Sequence, residues 1–94
     1  MAKVIVAHHV ADYDVWLPVF TEHQGVRVSY GATGHSISRD STDPNMIVIV
    51  NDFATLEGAQ AFTKDPSLPA HMVTGGVDGA PQVWIADEAE AAAY

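Results

Sequence analysis

Apolar and polar positions alternate from Val4 to Val10, and the alternation stops at Ala11. Val4, Val6, His8 and Val10 share one face of the implied strand, and Ile5, Ala7 and His9 share the other. The adjacent histidines must therefore point to opposite sides. Both faces are largely apolar, so the strand needs two covers. The helix that follows supplies one, and a second copy of the chain is expected to supply the other.

The pattern changes to a helical period within three residues. Asp12 or Asp14 is the expected N-cap. Tyr13, Trp16, Phe20, Gln24 and Arg27 recur at spacings of three and four, with Leu17 and Val28 widening the stripe. Pro18 removes a backbone donor inside this helix and predicts a distorted first turn or a bend. Gly31 is the expected stop. A short strand follows over His35–Asp40, then the turn Ser41-Thr42-Asp43-Pro44-Asn45. The third strand, Met46–Phe53, is the most apolar and should be central. Thr55 caps a second helix carrying Leu56, Ala59, Phe62 and Thr63. Pro66 ends it or opens a further helical turn through Pro69, His71 and Met72. A loop is expected over Gly75-Gly76 and Asp78-Gly79-Ala80-Pro81, then a last strand over Gln82–Ala86. The acidic, alanine-rich tail from Asp87 to Tyr94 is expected to be helical or mobile.

Strand-helix-strand twice over is the ferredoxin-like βαββαβ order: α+β, with a four-stranded antiparallel sheet and helices on one face. The 94 residues contain no low-complexity linker, so residues 1–94 are expected to form one domain. A chain of this size buries only roughly 60–65% of its unfolded surface, which favours oligomerisation. Without cysteines it has no disulfide, thiolate nucleophile or thiolate metal site. Twelve acidic against four basic residues give a formal charge of -8, which argues against nucleic acid and anionic membrane as partners. With neither a signal-peptide pattern nor a membrane-length apolar run, a cytoplasmic location is expected.

Five histidines are the side chains whose ordinary pKa lies nearest neutrality. His8 reads either as a core histidine bonded to a neighbour or as an acid or base in a cleft. The same alternation would equally bury it between two sheets. His9 faces the opposite way and suits an interface. His23 lies beside the apolar stripe and is expected to be exposed and inert. His35 opens a strand and faces cleft or solvent. His71 follows the second helix in a proline-rich turn. Trp16, Phe20, Phe62, Met72 and Trp84 are core by default, yet together would wall an aromatic pocket. Tyr13, Tyr30, Arg27 and Asn51 would supply its polar groups. Arg27 is suited to a carboxylate or enolate, or to an ion pair with one of the many acids. No metal-binding His-x-x-x-His, phosphate loop or dinucleotide fingerprint occurs, and the serines lack a nucleophile-elbow context.

The run His8-x-Val10-x-Asp12-Tyr13-Asp14-x-Trp16, with Arg27, Gly31-Ala32-Thr33-Gly34-His35, Asp43-Pro44-Asn45, the Phe62…Pro66…Met72 spacing and Gly76-Val77…Pro81, resembles the dimeric α+β-barrel superfamily. The likeness is nearest the antibiotic-biosynthesis-monooxygenase and small polyketide-cyclase branch. It implies a homodimer whose two sheets close a barrel, with one ligand cleft per subunit between sheet and helices. The implied activity is cofactor-independent: a histidine removes a proton from a polyketide-like or phenolic substrate, and cyclisation follows, or oxygenation. His71 and His8 are the expected catalytic pair. Tyr13, Trp16, Phe20, Arg27, Asn51, Phe62 and Met72 are the expected substrate contacts. Two further readings stay open. One is haem binding or degradation with His71 as axial ligand, although haem-degrading relatives place a Trp where Phe62 stands and an Asn on the first strand. The other is a non-catalytic stress or ligand-binding protein.

Overall fold

A computed structural model describes residues 1–94. Its elements are β1 (Ala2–Val10), α1 (Tyr13–Glu22), α2 (Gln24–Ser29), β2 (Ala32–Arg39), β3 (Met46–Phe53), α3 (Leu56–Phe62), α4 (Leu68–Thr74) and β4 (Val77–Asp87). The four strands form one antiparallel sheet in the order β2-β3-β1-β4. This is the ferredoxin-like arrangement expected from the sequence. The two most apolar strands take the two central places, where each is paired on both edges.

Register decides which side chains share a face. Val4 pairs with Asn51, Val6 with Ile49 and His8 with Ile47. Together with Val10 and Phe53 they form the helix-covered face, and all are buried. Ala59 and Phe62 of α3 and Trp16 of α1 close the core over them. The opposite face carries Ile5, Ala7, Met46, Val48, Val50 and Trp84, with Ile5 paired to both Val50 and Trp84. No helix of this chain lies over it.

The local signals act where chemistry demands. Asp12 caps α1 by accepting from the Asp14 backbone N–H at 2.9 Å. Pro18 thus falls in the second turn, and the Asp14 carbonyl loses the helical donor that residue 18 would supply. The first helix does not run through. It breaks at His23, whose N–H is shared between the Val19 and Phe20 carbonyls, and α2 starts one residue later. Gly31 ends that helix at φ 95°. Thr55 caps α3 through the Gly58 N–H at 3.0 Å.

Two expectations change. The loop placed at Asp78–Pro81 belongs to β4, because β1 pairs with it on both sides: Ala7 with Gln82, and His9 with Asp78. The extra residues form a bulge on an edge strand, where Pro81 costs no ladder bond, and Gly79 takes φ 72°. The tail is not helical; beyond Asp87 the chain has no regular structure. No helix is long and apolar enough to cross a membrane.

Gly58 marks the tightest approach of helix to loop. A Cβ there would stand 2.2 Å from the Tyr30 carbonyl oxygen, a backbone atom with little room to retreat. Gly58→Ala is expected to destabilise the fold by about 1–3 kcal/mol. The urea midpoint reads this directly, and an unchanged midpoint would contradict the packing.

Candidate functional site

A cavity of about 550 Å³ lies between the covered sheet face and the helices. Val4, Val6, His8, Ile49 and Asn51 form its floor. Trp16, Phe20, His23 and Arg27 form one wall, and Phe62 with the segment through Met72 forms the other. The wall rings pack on one another: Trp16 stacks on Phe20 with centroids 5.0 Å apart, and the His8 ring meets Trp16 edge-on at 5.6 Å. The lining is thus apolar with a few inward polar groups, as small-molecule sites are.

The structure brings together His8, His71, Trp16, Phe20, Arg27, Asn51, Phe62 and Met72. His8 takes the cavity face and not the open sheet face, because β1 turns its even-numbered residues toward the helices. Tyr13 does not join them. Its ring lies under the Arg39 guanidinium at 4.0 Å, outside the cavity lining. Trp84 points to the opposite sheet face and is half exposed, since β4 turns it outward beside Ile5. Tyr30 donates to Asp65 at 2.6 Å instead of facing the cavity. His35 is exposed, with its ring edge on Phe20, and lines a smaller polar recess with Arg27.

His23 departs furthest from expectation. It is buried, not exposed, and lines the cavity. Its ring lies 3.8 Å from that of His71, centroid to centroid. Its Nε2 is 3.0 Å from the Ser67 hydroxyl, and that hydroxyl donates to Asp65. The only local hint was the position of His23 three residues after Phe20, on the edge of the apolar stripe.

Arg27 is buried without a carboxylate partner. Its Nη1 donates to the Phe20 carbonyl at 2.8 Å, its guanidinium carbon sits 3.7 Å over the Phe20 ring, and Nη2 has no partner. Burial pulls its pKa down to about 10, so it keeps its charge at neutral pH. Asn51 donates to the Val4 carbonyl at 3.1 Å, leaving Oδ1 free. Burial lowers the His8 pKa. Burial, then His71 and Arg27, lower that of His23 against an upward pull from Asp65. Burial and Arg27 lower that of His35.

These shifts carry a stability consequence. The folded pKa values of His8, His23 and His35 lie below the unfolded value of 6.5. As pH falls below 6.5 the unfolded chain gains protons that the folded chain refuses, so stability present above that pH is lost. Asp40 and Asp65, held below their ordinary 3.8, act only at lower pH. The denaturation midpoint is expected to fall from pH 7.5 to pH 5, and a rise would contradict the burial of these rings.

Haem does not fit these residues. An axial histidine normally donates its second ring nitrogen to an acceptor. His71 Nδ1 is buried without one, and one ring face is covered by His23. No three His, Asp or Glu side chains gather as metal ligands.

No protein-family model matches the sequence, and no curated protein matches it significantly. Solved structures do match in shape. SnoaB, a cofactor-independent oxygenase from Streptomyces nogalater, superposes with a TM-score of 0.76 at 11% identity, over 96% of this chain and 94% of that one. A Bordetella bronchiseptica protein assigned to the antibiotic biosynthesis monooxygenases gives 0.75 at 14% identity, over 95% and 97%. An antibiotic biosynthesis monooxygenase gives 0.69 at 16% identity, over 96% and 100%. At such identities the likeness concerns the fold: the chain is a ferredoxin-like α+β domain whose structural neighbours include antibiotic biosynthesis monooxygenases.

Proposed function

We propose that this protein is a small cofactor-independent enzyme of the monooxygenase type, acting on a phenolic or polyketide-like molecule by histidine-assisted proton transfer. One observation carries the reading. Four buried side-chain polar atoms lack any partner, and all four belong to residues lining the one large cavity: His8 Nδ1, His71 Nδ1, Arg27 Nη2 and Asn51 Oδ1. Buried polar atoms are normally paired, so this set is laid out for a ligand. Arg27 asks for a carbonyl or enolate oxygen, and Asn51 asks for a hydroxyl. Trp16, Phe20 and Phe62 ask for an aromatic body between them.

His71 and His8 are the substrate-facing acid–base pair of this proposal. Loss of a proton from an activated methylene leaves its electron pair delocalised onto an oxygen opposite Arg27, a charge stabilised by a fixed cation in a dry site. Dioxygen then accepts electrons from that carbanion. The methylene and one O₂ become a carbonyl and one water. If the carbanion meets an internal carbonyl instead, the same first step gives cyclisation. The resemblance in shape to a cofactor-independent oxygenase favours oxygen as the acceptor. The unit of action in this proposal is a homodimer joined through the open sheet faces.

The test is dioxygen uptake with a tricyclic phenolic ketone bearing a benzylic methylene, at one O₂ per carbonyl formed. Asn51→Ala removes one hydrogen bond to substrate and is expected to lower kcat/KM about tenfold. Ligand binding without oxygen uptake or cyclised product would mark a non-catalytic binding protein.

A further inference from the structure

His23 is the one cavity histidine wired to a carboxylate. Asp65 accepts from the Ser67 hydroxyl, from the Ser67 backbone N–H at 2.8 Å and from the Tyr30 hydroxyl at 2.6 Å. An ionised carboxylate has no proton to give, so the Ser67 hydroxyl spends its own on Asp65. Its oxygen can then only accept from His23 Nε2, 3.0 Å away. This settles the tautomer: Nε2 carries the proton, and Nδ1 carries the lone pair. Nδ1 makes no hydrogen bond within the protein, and the ring lines the cavity.

His8 and His71 have no such support. Neither donates to an acceptor side chain, and each leaves Nδ1 buried and unpartnered. A positive charge formed on either would have no carboxylate linked to it by hydrogen bonds, whereas His23 reaches Asp65 through Ser67. We propose that His23 is the general base that takes the first proton from the substrate, with Ser67 and Asp65 as its positioning residues. The assignment rests on the proton-transfer reading above and moves the first step from His71 or His8 to a residue 44 positions from its Ser67 partner in the chain.

In this step the substrate C–H bond breaks, its electron pair stays on the substrate, and a new N–H bond forms at His23 Nδ1. The resulting imidazolium is opposed by Asp65 through Ser67. The His71 ring lies against it, 3.8 Å from centroid to centroid. Dioxygen combines with the carbanion to a peroxide, which takes the proton back from His23 Nδ1. Loss of the second methylene proton with cleavage of the O–O bond then leaves the carbonyl, and that proton and the departing hydroxide form water, with His71 and His8 as contacts to the substrate oxygens. Arg27 also bears on His23, and Lys64 lines the same cavity. Burial first, then His71 and Arg27, oppose protonation of His23 against the upward pull of Asp65.

The test uses the full chain, the same tricyclic phenolic ketone, and three variants. His23→Gln is expected to lower kcat by about 100-fold or more. Ser67→Ala and Asp65→Asn remove support for the imidazolium. Each should slow turnover and move the acid limb of the kcat/KM profile to lower pH, which loss of mere structural support would not do. Nitrogen-15 spectra of the wild type should show His23 protonated at Nε2 and bare at Nδ1. An active wild type whose His23→Gln variant keeps its rate within threefold, or an unmoved acid limb, or the opposite tautomer, overturns the assignment alone. A wild type that consumes no oxygen and forms no cyclised product overturns the enzymatic reading and the base with it.

Discussion

Trp16→Ala is expected to cost about 3–5 kcal/mol of folding stability. A domain of this length has roughly 5–14 kcal/mol in total, so the loss would approach unfolding. Trp16 is 4% exposed. Its ring touches both parts of the interior: Phe20 and Tyr13 along α1, and His8 on β1. From above, the end of α4 presses on it, since a Cβ at Gly75 would stand 3.0 Å from Trp16 Cδ1. Phe20 is held under Arg27 and Gly75 has no side chain, so neither refills the space. The void would instead merge with the cavity and admit water. Trp16→Phe keeps a stacked ring and should recover most of the loss. Urea denaturation of both variants reads the result. An unchanged midpoint with abolished ligand binding would make Trp16 a cavity wall without a role in the core.

A charge on the open sheet face is expected to have the second large effect, on assembly. Val48 and Val50 of β3 flank Ala7 and Ile5 of β1 in a row that ends at Trp84, 49% exposed. Water is a poor neighbour for this surface, and a second copy would cover it symmetrically. An interface of the obligate kind buries on the order of 2,000 Å² or more. Val50→Asp would place one carboxylate per subunit in its middle. The dimer dissociation constant should rise at least ~100-fold, equivalent to about 2.8 kcal/mol. Sedimentation at micromolar concentration should show a dimer for the wild type, and monomer or aggregate for the variant. A monomeric wild type would end the proposal that the sheets pair. Ile49→Asp acts differently, because Ile49 faces the helices at 3% exposure. That variant should fail to fold whatever the assembly.

What the sequence determined by itself is the part set by local backbone geometry. Period-two alternation placed β1 and β3, the latter over Met46–Phe53 as expected. Caps at Asp12 and Thr55 and the stop at Gly31 placed helix ends, because their side chains or free φ satisfy backbone groups within a few residues. The element order then allowed few topologies, and the sheet adopts the expected one. The start of β4 was not legible, since glycine and proline read as loop until β1 supplies the pairing partner. Nor was the break at His23.

The site divides along the same line. Alternation put His8 with Val4, Val6 and Val10, but said nothing of whether that face meets helices or a second sheet. Only the crossover of the helices decides this, and it turned His8 inward while sending Trp84 outward. Tyr13 and Trp16 lie on one helical stripe, yet Arg39 at the end of β2 covers the Tyr13 ring, and Tyr13 falls outside the cavity lining. The Asp65–Ser67–His23 chain was invisible for a simpler reason. His23 stands 44 residues from Ser67, and each member alone is an ordinary surface residue type. A hydrogen-bond chain depends on angles and tenths of an ångström between such elements, and those exist only once the sheet has brought α1 and the approach to α4 together.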